Sequence, residues 1–461
     1  MLFNSYQFIL VFLPITAGGY FLICRSAYAR HAMLWLAAAS LVFYSVWNPV
    51  YLPLILGSII LNFAVSRVIH ANGDMQRVAK RLLIVGITAN LVLLGYFKYA
   101  DFFIVNVNSA FGTHIALLHV VLPLGISFFT FTQIAFLVDT YQRRASRPGF
   151  VNYALFASYF PHLLAGPILH HSEMMPQFED PQNRRANFDN ISRGVFLFAI
   201  GLAKKVILAD SLAAIADSGF KQPDKWAIAD SWLIALAYSL QLYFDFSGYT
   251  DMALGASRML NIRLPINFNS PYRATSIQDF WRRWHITLSR FMREYVYIPL
   301  GGSRSGGVAT ARNILITFVL GGLWHGAGWT FVVWGALHGC AMVVQRVWRG
   351  FALPLASWLA WLLTFVFVNV AWVFFRATSV RDASALLQGM VGMHGIATPR
   401  ASPLEILLVI TGLFIVLGGT TSNAIVEQRA LTLRNAALAA VLLSAGFLSL
   451  SQTSPFIYFN F

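Results

Sequence analysis

The stretch "NILITFVLGGLWHGAGWTFVVWGALHGCAMVV", residues 313–344, contains two apolar runs joined by a glycine-rich break that carries His325. Each run approaches the length of about 20 residues that a helix needs to cross a bilayer. An imidazole in hydrocarbon costs free energy unless it is paired or faces a water-filled cavity, and is therefore a candidate functional group. The stretch predicts membrane helices with a functional histidine between them.

The composition of the whole chain also indicates a membrane protein. Of its 461 residues, 57% are hydrophobic and 11% are charged, whereas ordinary soluble domains carry about 25% charged residues. The net charge is +15, and in a membrane protein such an excess belongs in cytoplasmic loops. We therefore expect no nucleic acid partner. The two cysteines, Cys24 and Cys340, lie within or beside apolar segments, so neither a disulfide framework nor a cysteine-based metal site is expected.

The apolar segments predict an all-α polytopic membrane protein with roughly ten to twelve transmembrane helices. Arg25, Arg30 and His31 follow the first segment and place its end in the cytoplasm, so the N-terminus is expected outside. No linker divides the chain, which predicts one membrane domain over residues 1–461. The segments lie near 8–23, 33–47, 51–68, 82–98, 119–139, 194–216, 229–247, 313–330, 331–347, 356–375, 404–419 and 434–451.

Two segments depart from a simple crossing. Residues 150–171, "FVNYALFASYFPHLLAGPILHH", are interrupted by Pro161 and Pro167 and are flanked by basic residues on both sides. A broken or re-entrant hairpin satisfies this pattern, because non-helical backbone at membrane depth is tolerated where protein or water surrounds it. Residues 258–312 are amphipathic and rich in arginine, which predicts interfacial helices on the cytoplasmic side.

Several long motifs together resemble the membrane-bound O-acyltransferase family, specifically its alginate O-acetylase branch of bacterial polysaccharide acetylases. The resemblance implies tilted helices around a thinned centre, with a tunnel between a cytoplasmic donor entrance and an external acceptor entrance. It also implies that His325 is the catalytic histidine and His285 its upstream partner. The motifs are "HLLAGPILHHSEMMPQF" (162–178), "YFDFSGYTDMALGASRMLNI" (243–262), "FNSPYRATSIQDF" (268–280), "DFWRRWHITLSRFMREYVYIPLGG" (279–302), "GGLWHGAGWTFVVWGALHG" (321–339) and "SPFIYFNF" (454–461).

This resemblance implies a chemistry for each candidate residue. Desolvation keeps a buried imidazole neutral, and a neutral His325 can accept the proton of an acceptor hydroxyl that attacks acetyl-coenzyme A. His285 would orient the thioester or stabilise the oxyanion, while Arg282 and Arg283 would attract the donor's phosphates and Trp324 would contact substrate. The alternatives remain open: His325 as a packing residue, His285 as an interfacial residue, and arginines that contact lipid headgroups.

Other polar residues carry weaker expectations. His170 and His171 lie beside Glu173, but neighbouring positions do not share a helix face and no third ligand is evident, so no metal site is expected. Asp245 and Asp251 are expected to pair with buried arginines or to cap a helix. His338 is expected to be a packing or tunnel residue.

The function expected from these features is an O-acetyltransferase of the bacterial inner membrane that passes acetyl towards an exported polysaccharide such as alginate or cellulose. Acetyl-coenzyme A would be the donor substrate, with no tightly bound cofactor. The expected partners are membrane lipids, a separate periplasmic acetyltransferase and the proteins of polysaccharide synthesis and export. Two alternatives remain: D-alanyl or other acyl transfer to a cell-envelope polymer, and a non-enzymatic transporter whose histidine gates protons.

Overall fold

The computed structural model describes residues 1–428, 432–451 and 456–457 of the chain. Its structure is 76% helical, and the described residues contain no strand, which confirms the predicted all-α polytopic membrane fold. The residues divide into two compact units. The first contains Met1–Ala199 and Thr250–Pro265, and the second contains Ile200–Tyr249 and residues 266–428. Of the C-terminal motif "SPFIYFNF", only Phe456 and Ile457 lie within the described residues.

The first unit begins with a π-helical turn at Gln7–Phe12 that continues into α1. A second π-helical turn, Gly95–Tyr99, lies within one continuous helix over Gln76–Phe111. The helices of this unit are α1 (Leu13–Arg25), α2 (Ala32–Ser45), α3 (Leu52–Ala71), α4 (Gln76–Leu94), α5 (Ala100–Phe111), α6 (Ile126–Tyr141), α7 (Phe150–Ser158), α8 (Phe160–Leu163) and α9 (His171–Glu179).

Polar pairs connect the helices of the first unit. Asn62 on α3 and Asn90 on α4 exchange side-chain hydrogen bonds of 3.2 and 2.7 Å, and Gln133 on α6 donates to Ser58 on α3 at 2.9 Å. All four side chains are buried. Interhelical bonds of this kind hold helices together in lipid, where apolar surface gives no preference for a neighbouring helix.

The second unit contains most of the motifs. Helices α10 and α12 contribute residues to both units. The remaining helices in chain order are α10 (Phe188–Ala203), α11 (Asp210–Phe220), α12 (Ile228–Met259), α13 (Ile277–Arg283), α14 (Ile286–Met292), α15 (Gly306–His325), α16 (Trp329–Gly350), α17 (Ser357–Arg376), α18 (Val380–Met390), α19 (Pro403–Gly418), α20 (Ser422–Gln428) and α21 (Leu433–Leu448).

The number of long apolar helices is smaller than the sequence predicts. Among the described residues, six helices are long and apolar enough to cross a membrane, or seven if α19 and α20, bent by 54°, form one span. The other predicted spans form helices that are shorter or more polar than these six. For example, α2 has 14 residues, and α12, at 32 residues, carries buried Asp245 and Asp251. The six helices lie at Gln7–Arg25, Pro49–Ala71, Gln76–Phe111, Gly306–His325, Trp329–Gly350 and Ser357–Arg376.

The interruption predicted in residues 150–171 is present. Helix α7 ends at Ser158, α8 is a single turn that begins beside Pro161, and residues 164–170 are not helical before α9 begins at His171. Proline at the start of a helix is tolerated because its missing N–H would be unpaired there. The break is confirmed, and its depth in the membrane remains a prediction.

Glycines bring α15 and α16 into close contact. A methyl group at Gly322 would lie 2.2 Å from the Phe331 carbonyl oxygen, and one at Gly335 would lie 2.4 Å from the Phe318 carbonyl oxygen. Small residues at such positions allow membrane helices to approach each other closely. The two helices therefore form one rigid pair, and His325 lies at the turn between them.

Candidate active site

His325 is the last residue of α15, where the helix ends because Gly326 adopts an extended conformation. A side chain at Gly326 would collide with the Phe331 ring, since its Cβ would lie 2.1 Å from a ring carbon. The imidazole is 3% exposed. Its ring centre lies 4.9 Å from that of Trp324, 5.1 Å from that of Trp334 and 5.1 Å from that of Phe375. The turn therefore fixes this histidine within an aromatic enclosure.

His285 lies in a strained turn between α13 and α14. Its φ of 44° is in the left-handed region, which costs free energy for a residue with a Cβ and is found mainly where surrounding structure enforces it. The side chain is fully buried. Burial lowers the pKa of the His285 imidazole to about 3, because desolvation disfavours the charged form. The imidazole is therefore neutral at physiological pH.

Asn267 determines which nitrogen of His285 carries the proton. The Asn267 Oδ1 accepts the Thr287 backbone N–H at 3.2 Å, which fixes the orientation of the amide. The same oxygen lies 3.2 Å from His285 Nδ1, so Nδ1 must donate to it. A neutral His285 therefore carries its lone pair on Nε2, and no hydrogen-bond partner for Nε2 is present among the described residues.

The two histidines predicted to work together are neighbours. Their ring centres are 6.3 Å apart, although their positions are 40 residues apart in the chain (325 − 285). The Trp324 ring lies 4.9 Å from that of His325 and 6.0 Å from that of His285. Trp324 thus contacts both imidazoles and is buried, which places it as support for the pair.

His325 lines a cavity of about 810 Å³ in the second unit, a volume typical of small-molecule sites. Arginines also line this cavity: Arg282 from α13, Arg293 after α14, and Arg346 and Arg349 from α16. Sequence reasoning assigned Arg282 and Arg283 to phosphate binding. The structure places Arg282 on the cavity, whereas Arg283 is absent from its lining and donates to both carboxylate oxygens of Asp279 at 3.0 Å.

Arg346 and Arg349 were missed at the sequence level. They follow an apolar run and resemble the basic flank of a membrane helix. The positive-inside rule explains such a flank without a binding site. The signal that would have identified them is helical spacing, since residues three apart share a face. That face of α16 also bears Met342 on the same cavity.

A second cavity, of about 420 Å³, lies in the same unit. Phe375 and Phe331 line it, their ring centres are 5.1 Å apart, and Phe375 also contacts the His325 ring. The wall includes Lys205 and Asp245, which form an ion pair of 2.6 Å. Aromatic residues that contact the His325 ring therefore line both cavities, Trp334 the first and Phe375 the second.

Asp245 and His338 are both buried and have polar partners. Asp245 pairs with a buried cation as expected, but that cation is Lys205 and not an arginine. His338 is fully buried, and its Nδ1 accepts the Trp281 indole N–H at 3.3 Å. Its ring centre lies 4.9 Å from that of Trp334. His338 is a packing residue in this structure.

The neighbouring His170 and His171 belong to the first unit, and here the structure differs from the sequence expectation. Both Nε2 atoms approach one oxygen, Asp139 Oδ2, at 3.0 and 3.2 Å. A third group is therefore present beside the pair. The turn at the start of α9 allows this, because His170 is an extended residue before the helix and His171 is its first residue.

A multi-pass membrane fold with a buried histidine pair and an arginine-lined cavity is the architecture expected of an integral membrane enzyme. The sequence profile of the membrane-bound O-acyltransferase family matches residues 75–380. The chain therefore belongs to the membrane-bound O-acyltransferase family, and it is an acyltransferase.

Individual relatives refine this comparison. The chain is 45% identical to the peptidoglycan O-acetyltransferase of Helicobacter pylori, over 100% of this chain and 98% of that protein. It is 42% identical to a probable alginate O-acetylase of Pseudomonas aeruginosa, over 85% of this chain and 75% of that protein. Similarity to the teichoic acid D-alanyltransferase of Bacillus subtilis is lower, at 26% identity over 53% of this chain and 66% of that protein. The predicted kinship with the alginate O-acetylase branch is thus confirmed.

Proposed function

We propose that this protein takes acetyl from acetyl-coenzyme A on the cytoplasmic side of the inner membrane and passes it outward for O-acetylation of a cell-envelope polysaccharide. The observation that carries the proposal is His325, which lines a cavity of about 810 Å³ together with the guanidinium groups of Arg282, Arg293, Arg346 and Arg349. A proton acceptor and an anion-binding surface on one cavity suit a donor with a reactive thioester and several phosphates.

The chemical step is a direct transfer. His325 accepts the proton of the acceptor hydroxyl, whose oxygen attacks the thioester carbonyl carbon to form a tetrahedral intermediate. Collapse of this intermediate breaks the carbon–sulfur bond, and the proton on His325 passes to the departing thiolate. General-base assistance of this kind contributes about 10²–10⁴-fold. The enclosure formed by Trp324, Trp334 and Phe375 would exclude water that competes for the acyl group.

The sequence left two roles open for His285, orienting the thioester and stabilising the oxyanion, and the geometry favours the first. Oxyanion stabilisation requires a hydrogen-bond donor, but a neutral His285 with its proton on Nδ1, towards Asn267, presents only a lone pair at Nε2. We therefore favour the orienting role, in which Nε2 accepts a hydrogen bond from an amide N–H of the donor. In this role, His285 and His325 both act as acceptors.

The second cavity supports an acceptor approach that is separate from the donor cavity, because its wall includes Phe375, which contacts the His325 ring. Its wall carries charged groups, including Lys205, Asp245 and Arg376, which suit a molecule rich in hydroxyl groups. The match to the peptidoglycan O-acetyltransferase extends over almost the whole of both chains. Peptidoglycan is therefore a candidate final acceptor beside alginate-like polymers. A separate periplasmic acetyltransferase remains the proposed recipient, together with the polysaccharide synthesis and export proteins.

The proposed function is tested with His325→Gln in purified protein supplied with labelled acetyl-coenzyme A. The Gln amide keeps a hydrogen bond but cannot accept a proton at neutral pH, so acetyl transfer should fall to background while donor binding persists. The matched control is His338→Gln, which retains an acceptor for Trp281 and should keep its activity per folded molecule. Near-normal transfer by His325→Gln at equal expression would make His325 structural.

The D-alanyl alternative predicts a different donor. With acetyl-coenzyme A as the donor offered, mass spectrometry should find acetyl on the acceptor. The transfer should not require a carrier protein. Turnover that occurs only with a carrier-protein thioester would overturn the proposed donor and favour the activity named for the more distant relative.

A further inference from the structure

A buried cluster in the first unit combines two imidazoles and one carboxylate. Asp139 lies near the end of α6, and His170 and His171 begin α9. One ligand atom from each residue lies within 4.8 Å of the other two. Asp139 and His171 are 1% and 4% exposed at their side chains, and His170 is 21% exposed. The cluster is thus enclosed but open on the side of His170.

The spacing of these atoms suits a tetrahedral metal ion. Zinc binds imidazole nitrogen and carboxylate oxygen at about 2.0–2.2 Å, which places neighbouring ligand atoms roughly 3.3 Å apart. The two Nε2 atoms lie 3.0 and 3.2 Å from Asp139 Oδ2, so small movements would admit an ion. Three ligands from imidazole and carboxylate favour zinc over calcium or magnesium, which prefer oxygen alone.

Neighbouring side chains hold the two imidazoles in place, as residues that contact metal ligands do. The His170 Nδ1 accepts the Ser172 backbone N–H at 3.4 Å and also lies 2.6 Å from the Ser172 hydroxyl. Zinc at Nε2 would require the imidazole proton on Nδ1, where it would be donated to that hydroxyl. The ring of His171 packs against Phe136, with ring centres 5.8 Å apart. Hydrogen bonds to the far nitrogen fix the tautomer and raise metal affinity.

We propose that Asp139, His170 and His171 form a zinc site that joins the end of α6 to the start of α9. The intervening chain contains the helix break and the non-helical residues 164–170, whose backbone gains little support from regular helix bonding. A metal bond across this interval would stabilise it, because the free energy of metal binding adds to that of folding. The three side chains leave the fourth tetrahedral position to water on the open side of His170, and the site is independent of the reaction proposed at His325.

The first test measures bound metal in protein purified through a tag without histidine. Inductively coupled plasma mass spectrometry should find roughly one zinc per chain in the wild type, and less than a tenth of that in Asp139→Asn and His171→Gln. The control His114→Gln changes an exposed histidine outside the cluster and should retain the metal. Wild-type protein without zinc that also binds none when zinc is added would leave a plain hydrogen-bonded triad and overturn the proposal.

A second measurement covers variants that fail to fold. Ser172→Ala keeps all three ligands and removes the contact to His170, so zinc affinity should fall about 10–100-fold without loss of the fold. Cobalt added to metal-free wild-type protein should produce the visible absorption of a tetrahedral site, and zinc should restore the melting temperature after chelation while magnesium does not. Absence of the cobalt spectrum, or equal rescue by magnesium, would contradict the assignment.

Discussion

At the scale of single residues, the contact between Asn267 and His285 predicts a change in the pH profile. Asn267→Asp places an anion beside Nδ1, which favours the imidazolium and raises the pKa of His285 from its wild-type value of about 3. A protonated Nε2 has no lone pair, so kcat/KM should fall as the pH is lowered. In Asn267→Asp this fall should begin at a higher pH than in the wild type. The measurement is labelled acetyl transfer between pH 5 and 8, and coincident profiles would refute this role of Asn267.

The arginines give a prediction with an internal control. Arg282 lines the cavity beside His325, whereas the adjacent Arg283 is held by Asp279. Arg282→Gln should therefore raise the KM for acetyl-coenzyme A by about tenfold, the value of one charge-assisted hydrogen bond of roughly 1.5 kcal/mol. Arg283→Gln should leave that KM unchanged. Equal effects of the two substitutions on steady-state kinetics would show that neither reports on a specific phosphate contact.

Residue identity alone could not separate these two arginines. Both lie in one motif and both satisfy the positive-inside rule, so hydropathy and charge treat them alike. Their difference arises from a partner four residues away, Asp279, and from the face that α13 presents to the cavity. His325 could be singled out from the sequence because it stands out against apolar neighbours, whereas its proximity to His285 depended on the resemblance.

At the scale of secondary structure elements, the close approach of α15 and α16 predicts a stability effect. Gly335→Ala would bring a Cβ to 2.4 Å from a backbone oxygen of α15, and overpacking of this kind costs about 1–3 kcal/mol. The melting temperature in detergent should fall, and transfer activity should fall with it because Trp334 contacts His325. Gly307→Ala, which meets nothing within 4 Å in α15, is the control and should leave both unchanged.

The elements also show where sequence patterns succeed and fail. The segments near 313–330 and 331–347 were located correctly, but their boundary shifted to residues 326–328, because glycine geometry ends α15 and hydropathy does not record it. Helix α12 extends to 32 residues, beyond the predicted 229–247, since buried polar groups such as Asp245 are accommodated by an ion pair with Lys205. A hydropathy average counts such a charge as unfavourable even when an ion pair neutralises it, so the predicted segment ends too early.

At the scale of the whole molecule, the arrangement of basic loops predicts a membrane topology that the helix lengths do not decide. Helix α2 has 14 residues, fewer than the roughly 20 that span an ordinary bilayer. A crossing by α2 requires the thinned membrane that the family resemblance implies. The loops at its two ends would then face opposite sides, and the N-terminus would lie outside.

This topology is testable with single cysteines in a variant that lacks Cys24 and Cys340. Val46→Cys lies in the exposed turn after α2, and Met75→Cys lies in the exposed basic loop before α4. A membrane-impermeant maleimide should label the first in intact spheroplasts and the second only after permeabilisation, because the arginines near residue 75 hold that loop in the cytoplasm. Labelling of both in intact spheroplasts would mean that α3 does not cross, and the reverse pattern would place the N-terminus in the cytoplasm. Either result would also contradict the assignment of the acyl donor to the cytoplasmic side.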